Sequence, residues 1–259
     1  MAEIFLEEPF FSLWKTKEAF EEVARLSGEE FRRVKSRRTF RIEADGKGFF
    51  IKHHLGVGWK EIVKNLLQFK IPVTGARGEY NAIRLLEKVG VPTMTCAGFG
   101  ERFFNPAARE SFIITCELAG MLSLEDLFAA GNVDRATRHD IARRLGESVG
   151  KMHAAGLNHR DCYICHFLRS PETGNLHVID LHRAQIRKKV PFRYAVKDVA
   201  GILFSAMDLS LTLRDIALFY REYKRAGNKD SVRFRKAVFK AACKLYFKEH
   251  GKSVPPVTR

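Results

Sequence analysis

The chain has 259 residues, 46% hydrophobic and 29% charged, enough to build a full globular core; a disordered or fibrous chain is excluded. Forty-five Lys and Arg against 30 Asp and Glu leave a net charge of +15, which favours an anionic partner: nucleic acid, an anionic membrane surface, a phosphorylated ligand or an acidic protein. No stretch reaches the roughly 18 apolar residues of a spanning helix, and Glu3, Glu7 and Glu8 stand where an export signal would be basic, so a cytosolic protein with five reduced cysteines is expected.

Phe10, Leu13, Trp14, Phe20, Val23 and Leu26 read as a short amphipathic helical lead-in that stops at Gly28. Strand-like runs follow at Phe31 to Val34, Thr39 to Ala44 and Phe49 to His54. Asp45-Gly46 between the last two is a hairpin signal, because glycine takes a positive φ without steric cost, so the N-terminal part is an antiparallel sheet. From Gly58 to Phe69, the residues Trp59, Ile62, Val63, Leu66 and Leu67 recur at helical spacing, with lysines at 60, 64 and 70. A second helix is expected from about Gly78 to Val89, closed by Gly90 and Pro92, with Ile83 and Leu86 inward. Strands at Thr93 to Gly100 and Ser111 to Cys116 complete the sheet. Ile141, Leu145, Val149 and Met152 then mark a long helix ended by Gly156, and later helices are expected at Asp198 to Met207, Leu213 to Tyr223 and Ser231 to His250. A strand-rich residue range 1–117 followed by a helix-rich 118–259 gives an α+β, two-lobed architecture.

The most informative segment is Met152-His153-Ala-Ala-Gly156-Leu-Asn-His159-Arg160-Asp161. An apolar-His pair, a helix-stopping glycine and His-Arg-Asp form the layout of a kinase catalytic loop, whose Asp, here Asp161, takes or orients the proton of the acceptor hydroxyl. Further on, Val178-Ile179-Asp180 is a short apolar strand ending in a carboxylate, the place of a metal-binding Asp opposite that loop. Upstream, Phe50-Ile51-Lys52 resembles the strand that carries the phosphate-binding lysine, and Glu79 shares the inward face of Ile83 and Leu86, where it needs a cation such as Lys52. The run Ser111 to Leu118 is a buried strand entering a linker, and the backbone at Glu117 and Leu118 is the expected adenine contact. The fold class is therefore protein-kinase-like, with ATP as phosphoryl donor.

Other patterns compete. Cys162-Tyr-Ile-Cys165-His166 spells a c-type haem attachment motif, which would require export, and Cys96, Cys116 and Cys243 supply no second pair for zinc. Arg32, Arg33, Lys35, Arg37 and Arg38 lie beside the expected ATP loop, and Arg233 to Lys248 spread along the last helix as a solvated face or a surface for anionic lipid head groups. A nucleic-acid partner is not expected.

The runs Asn158 to Leu168 and Val178 to Gln185 resemble the two signatures of the lipopolysaccharide core heptose(I) kinases, the WaaP family. Leu6-Glu-Glu-Pro9 and Gly58-Trp59 with Lys64-Asn-Leu-Leu67 extend the likeness over roughly the whole chain. The resemblance implies transfer of the γ-phosphate of ATP to the 4-hydroxyl of the first inner-core heptose, with Asp161 as base, Asp180 and His166 as Mg²⁺ ligands, and Lys52 with Glu79 positioning the phosphates. It also implies a lipid-anchored acceptor at the cytoplasmic face of the inner membrane, and acyl carrier protein as an acidic partner.

The chain departs from ordinary protein kinases in four places. His166 stands five residues after Asp161, where Asn is expected, and imidazole is a poor ligand for Mg²⁺. No G-x-G-x-x-G precedes Lys52, so Lys35-Ser36-Arg37-Arg38 is the expected phosphate-covering loop. Leu181-His182 replaces Phe-Gly, and the short span from Asp180 to Asp198 leaves no room for a long activation segment, which favours a small hydroxylated acceptor over a peptide. A kinase for Kdo or an aminoglycoside, and a non-catalytic kinase-shaped scaffold, remain open at this point.

Overall fold

The computed structural model describes residues 2–14, 18–34, 36–68, 72–131, 133–209 and 211–252. They divide into two units, Met1–Ile83 with Met94–Ala119, and Arg84–Thr93 with Gly120–Arg259.

The first unit carries β1 (Glu3–Leu6), α1 (Phe10–Trp14), α2 (Ala19–Arg25), β2 (Glu29–Val34), β3 (Arg37–Ala44), β4 (Lys47–His54), α3 (Gly58–Leu67), the first turns of α4 (Arg77–Lys88), β5 (Cys96–Arg102) and β6 (Glu110–Cys116). The strands form one antiparallel sheet in the order β1-β5-β6-β4-β3-β2. Asp45 (φ 48°) and Gly46 (φ 69°) turn left-handed together, the geometry that matches strand twist in a two-residue hairpin. Alternation sends Phe49 and Ile51 to one face, where they are buried with Phe40, Phe112 and Ile114. Phe10, Trp14, Phe20 and Val23 close over that face, with Phe10 edge-on to Phe49 at 4.9 Å and Phe20 edge-on to Phe112 at 5.2 Å.

The lead-in is thus two short helices rather than one, and Leu13 faces solvent. A strand, β1, precedes them; its four residues are too few to show alternation on their own. In α3 only Ile62 is buried, while Trp59, Val63, Leu66 and Leu67 are exposed. Lys35, Phe69 and Lys70 lie outside the described residues. Val34 pairs with Arg37, so Arg37 and Arg38 stand on β3 and not in a loop. In α4, Ile83 and Leu86 are fully buried, as their spacing requires.

The second unit holds the end of α4, then β7 (Leu122–Ser123), α5 (Leu124–Ala129), α6 (Arg135–Ala154), β8 (Leu157–Asn158), β9 (Phe167–Arg169), β10 (Leu176–Val178), β11 (Gln185–Ile186), α7 (Phe192–Ser205), α8 (Leu213–Arg225) and α9 (Val232–His250). Two small sheets, β10-β9-β7 and β11-β8, sit among these helices. Thr93 is not part of β5. Val178 N–H donates to the Pro92 carbonyl and the Thr93 hydroxyl to the Val178 carbonyl, so that end of the expected strand is taken by β10. The long helix α6 starts at Asp134, whose carboxylate accepts from Thr137 N–H, and its exit turns at Gly156 (φ 85°). A Cβ on Gly156 would lie 1.9 Å from the Arg187 carbonyl, so close approach of backbone, as well as φ, demands glycine. Helix α7 begins six residues earlier than expected, straight after Pro191, whose fixed φ of −63° suits a helix start. Among the described residues no helix is long and apolar enough to cross a membrane.

Candidate active site

In the first unit, Lys52 lies on β4 between Thr39 and Ile113 of its neighbours. Its Nζ is 2.8 Å from Glu79 Oε1. Glu79 enters from the first turn of α4 and is buried, with no hydrogen-bond partner for its Oε2 among the described residues. A carboxylate in that setting depends on its lysine.

Glu117 directly follows β6 and its side chain pairs with Arg41 at 2.8 Å, a contact that holds its carboxyl below the usual carboxylate range. That pairing runs over Gly48, where a Cβ would come within 1.7 Å of Glu117 Oε2. The Glu117 N–H donates to the Gly48 carbonyl at 2.9 Å, so this donor is already taken. Arg38 donates to the Leu26 carbonyl at 3.3 Å, lies 3.5 Å from Glu30 and stacks on Phe40.

In the second unit, residues 159–166 run between β8 and β9, and Asp180 follows β10 within two residues. Backbone bonds stitch the two stretches together: Ile179 N–H donates to the His166 carbonyl at 3.0 Å, and His159 Nε2 donates to the Ile179 carbonyl at 2.9 Å. His166 Nδ1 donates to the Asp161 carbonyl at 2.7 Å, because a carbonyl can only accept. The other ring nitrogen, Nε2, lies 3.8 Å from Asp180 Oδ2, too far for a hydrogen bond but a spacing that a cation could bridge. His182 Nδ1 sits 2.7 Å from Asp180 Oδ1. Asp180 is itself left-handed (φ 58°), a conformation uncommon for a side-chain-bearing residue and concentrated at functional sites. His159 is fully buried and stacked on the His166 ring; burial pulls its imidazole below 6.5 and keeps it neutral. The sequence-predicted residues Asp161, His166 and Asp180 are therefore brought together.

Three contributors escaped the sequence reading. Asp198 is buried in mid-helix on α7, accepting from the N–H groups of His159 (2.7 Å) and Arg160 (2.9 Å), with His153 Nε2 at 3.3 Å. Those bonds secure Arg160 in its left-handed conformation (φ 76°) immediately before Asp161. One turn on, Gly201 lets α7 approach so closely that a Cβ would sit 2.5 Å from the Cys162 carbonyl. The third is Arg183, whose Nη1 donates to both Asp161 oxygens at 2.7 and 2.8 Å and fixes the carboxylate's orientation. A carboxylate framed by Val196, Val199 and Ala200 was the available signal for Asp198.

Among the described residues no three His, Cys, Asp or Glu side chains converge as a metal cage. One carboxylate with a nearby imidazole nonetheless fits a hard cation whose remaining ligands are phosphate oxygens and water, the usual arrangement for Mg²⁺ at a nucleotide. Burial pushes the Cys162 thiol up, as befits a structural cysteine and not a thiolate ligand.

A family model described as the lipopolysaccharide kinase (Kdo/WaaP) family matches residues 21–223. The chain is 50% identical over 227 residues to lipopolysaccharide core heptose(I) kinase WaaP of Escherichia coli (strain K12), covering 84% of this chain and 86% of the relative. To the protein of that name from Pseudomonas aeruginosa it is 48% identical over 240 residues, with 89% of each chain covered. A solved structure described as WaaP in complex with acyl carrier protein superposes with a TM-score of 0.79 at 39% identity, covering 94% of this chain and 99% of that one.

Proposed function

The chain belongs to the lipopolysaccharide kinase (Kdo/WaaP) family, and from that premise we propose that it transfers the γ-phosphate of ATP to the first heptose of the lipopolysaccharide inner core, at the 4-hydroxyl. The observation that carries this reading is His166, whose ring bonds to the Asp161 backbone on one edge and faces the Asp180 carboxylate on the other. That ties the residue that receives a proton to the residue that holds a cation.

In this reading Asp161 accepts the acceptor hydroxyl's proton, with its carboxylate oriented by Arg183 and its backbone steadied by Asp198 through Arg160. Lys52, held by Glu79, meets the α- and β-phosphates, and Arg37 adds positive charge on the same face of β3, whereas Arg38, stacked on Phe40 on the other face, does not reach them. Because the Glu117 N–H is engaged, adenine is read by the Glu117 carbonyl and the Leu118 N–H. Asp180, with His166 beside it, would hold Mg²⁺, which when bound neutralises charge on the transferring phosphates. Residues 1–117 position the ATP phosphates, and residues 118–259 supply the catalytic loop and the acceptor site.

The acceptor is lipid-anchored, which places the enzyme on the cytoplasmic face of the inner membrane. Exposed Trp59, Leu66 and Leu67 beside Lys60 and Lys64 on α3 suit an anionic bilayer surface. Acyl carrier protein is a second partner, supported by the likeness to a WaaP solved with it and by the +15 charge of this chain.

The test is phosphate transfer from ATP onto purified core lacking heptose phosphate, with wild type and Asp161→Asn. Wild type should phosphorylate the heptose, and the variant should lose about a hundredfold or more in rate while keeping its urea midpoint. A folded Asp161→Asn protein with full transfer would overturn the base; phosphate found on another sugar, or only on another small acceptor, would overturn the acceptor.

A further inference from the structure

At one end of the first unit's sheet, β4 runs out into α3 and residues 103–109 join β5 to β6; the pairing of His54 with Ser111 and of Glu101 with Ser111 puts both connections side by side. Phe103 and Phe104 open the second connection, and they are 56% and 83% exposed. Phe103 is left-handed (φ 69°), a state that Gly or Asn enters readily and that is an outlier for a bulky side chain. Two phenylalanines turned to solvent, one of them in a costly backbone state, add little to the packing of the chain by itself.

The connection is docked on the entry to α3. Gly58 N–H donates to the Ala107 carbonyl at 3.0 Å, and a Cβ on Gly56 would lie 2.7 Å from that carbonyl, so the two backbones touch. Asn105 closes the turn: its side chain accepts from Ala107 N–H and its carbonyl from Ala108 N–H, both at 3.0 Å. On the other side Arg102 stacks over the Phe20 and Phe103 rings and bonds Glu110 at 2.7 Å. The exposed rings are thus held in place relative to the helix.

Immediately after Gly58, α3 exposes Trp59, Val63, Leu66 and Leu67, at i, i+4, i+7 and i+8 of one face. At roughly 100° per residue these four form a stripe about 100° wide, flanked by exposed Lys60 and Lys64, while Glu61 and Asn65 fall on the opposite side. Aromatic and leucine side chains edged by lysines, with the acid turned away, complement a hydrocarbon layer beneath anionic head groups.

We propose that Phe103 and Phe104 are a second insertion point beside α3, so that the first unit docks on an anionic bilayer by two elements at once. A lone helix leaves a protein free to roll about the helix axis; a second contact fixes its orientation on the surface. The inference rests on the membrane placement in the proposed function and deepens it by naming the surface.

Cosedimentation of the full chain with phosphatidylcholine vesicles, with and without phosphatidylglycerol, tests it. Wild type should bind more tightly when phosphatidylglycerol is present, and Phe104→Ser should weaken that binding about tenfold. Phe103→Asn should also weaken it while keeping or raising the urea midpoint, because Asn accepts the left-handed state; a purely structural Phe103 would lose stability instead. In a Trp59→Phe chain, Phe104→Trp should bind and be quenched by bromines carried on the acyl chains. Undiminished binding by Phe104→Ser, or an unquenched Phe104→Trp on bound vesicles, overturns the second insertion point and leaves the membrane placement standing. Equal binding to both kinds of vesicle removes the anionic preference and overturns the match to the lysines. Loss of binding with Phe247→Ser, an exposed residue of α9, but not with Phe104→Ser moves the membrane face to that helix. Loss of acyl carrier protein binding by Phe104→Ser with vesicle binding intact assigns the patch to a protein and overturns the proposal as well. Wild type that ignores both vesicles sinks the membrane placement together with the inference; phosphate transfer to deacylated core, measured apart, bears on the kinase reading alone.

Discussion

Lys52→Met probes the ion pair at 2.8 Å on which Glu79 depends. The Lys52 side chain is 16% exposed and that of Glu79 1%, so solvent cannot take over when the ammonium is removed. Breaking a pair this deep by deleting one partner strands the other's charge, at about 3–5 kcal/mol. Against a total stability of roughly 5–15 kcal/mol that is a large share, and with a urea slope of about 1–3 kcal/mol per M the midpoint should fall by about 1–2 M or more. Adding Glu79→Gln removes the stranded charge, and the double variant should recover at least half of the lost stability. Activity should behave differently. Both variants lack the cation proposed to meet the phosphates, so transfer should stay down by roughly a hundredfold or more even where stability returns. Urea denaturation and phosphate transfer, measured on the same four proteins of the cycle, separate the two effects. An unchanged midpoint for Lys52→Met would refute the dependence of Glu79 on Lys52, and recovery of turnover in the double variant would refute the phosphate role.

Asp198→Asn leaves one acceptor for two backbone N–H groups, so it should cost about 1–3 kcal/mol and speed amide exchange at His159 and Arg160; unaltered exchange there would contradict the clamp. Gly201→Val should be more disruptive than a typical helix-surface change, because its Cβ would meet the Cys162 carbonyl at 2.5 Å, and a midpoint within about 0.2 M of wild type would count against that packing. Burial pulls His53 and His159 below 6.5, so the unfolded chain takes up protons first as pH falls. The stability they contribute is complete above about pH 6.5 and declines below it, by up to about 1.4 kcal/mol per pH unit for each; stability rising between pH 6.5 and 5.5 would break the reasoning. Of the two tryptophans Trp14 is buried and Trp59 exposed, so anionic vesicles should blue-shift the emission of wild type but not of Trp59→Phe; an unshifted spectrum on saturating vesicles denies α3 a membrane role.

The parts of the site read from local pattern were those whose partners declare themselves by period. Strand alternation set Lys52 apart from buried Phe49 and Ile51, and helical spacing put Glu79 with Ile83. The Asp45-Gly46 turn needed only its two residues. Contacts between distant segments were not legible. The Arg41–Glu117 pair spans 76 positions, and nothing around Glu117 announces that its side chain turns away from a linker role to meet β3. Asp198 is hidden in the sequence because the apolar run that follows it resembles a helix beginning there, whereas α7 starts six residues earlier and makes Asp198 a buried mid-helix acceptor. For α3, periodicity revealed an apolar stripe, but not that the stripe would remain without cover apart from Ile62.

The stretch from Asp180 to Asp198 has one more implication. Residues 181–197 pass from a tight turn through β11, paired to β8, directly into α7, and on the way Arg183 bonds Asp161. Signalling kinases keep their resting form in a pliable loop at this point, to be ordered by a covalent mark. Here a shorter stretch is tied down along its length, by strand pairing and by a bond to the catalytic loop itself, so the segment that elsewhere serves as a switch is here part of the scaffold.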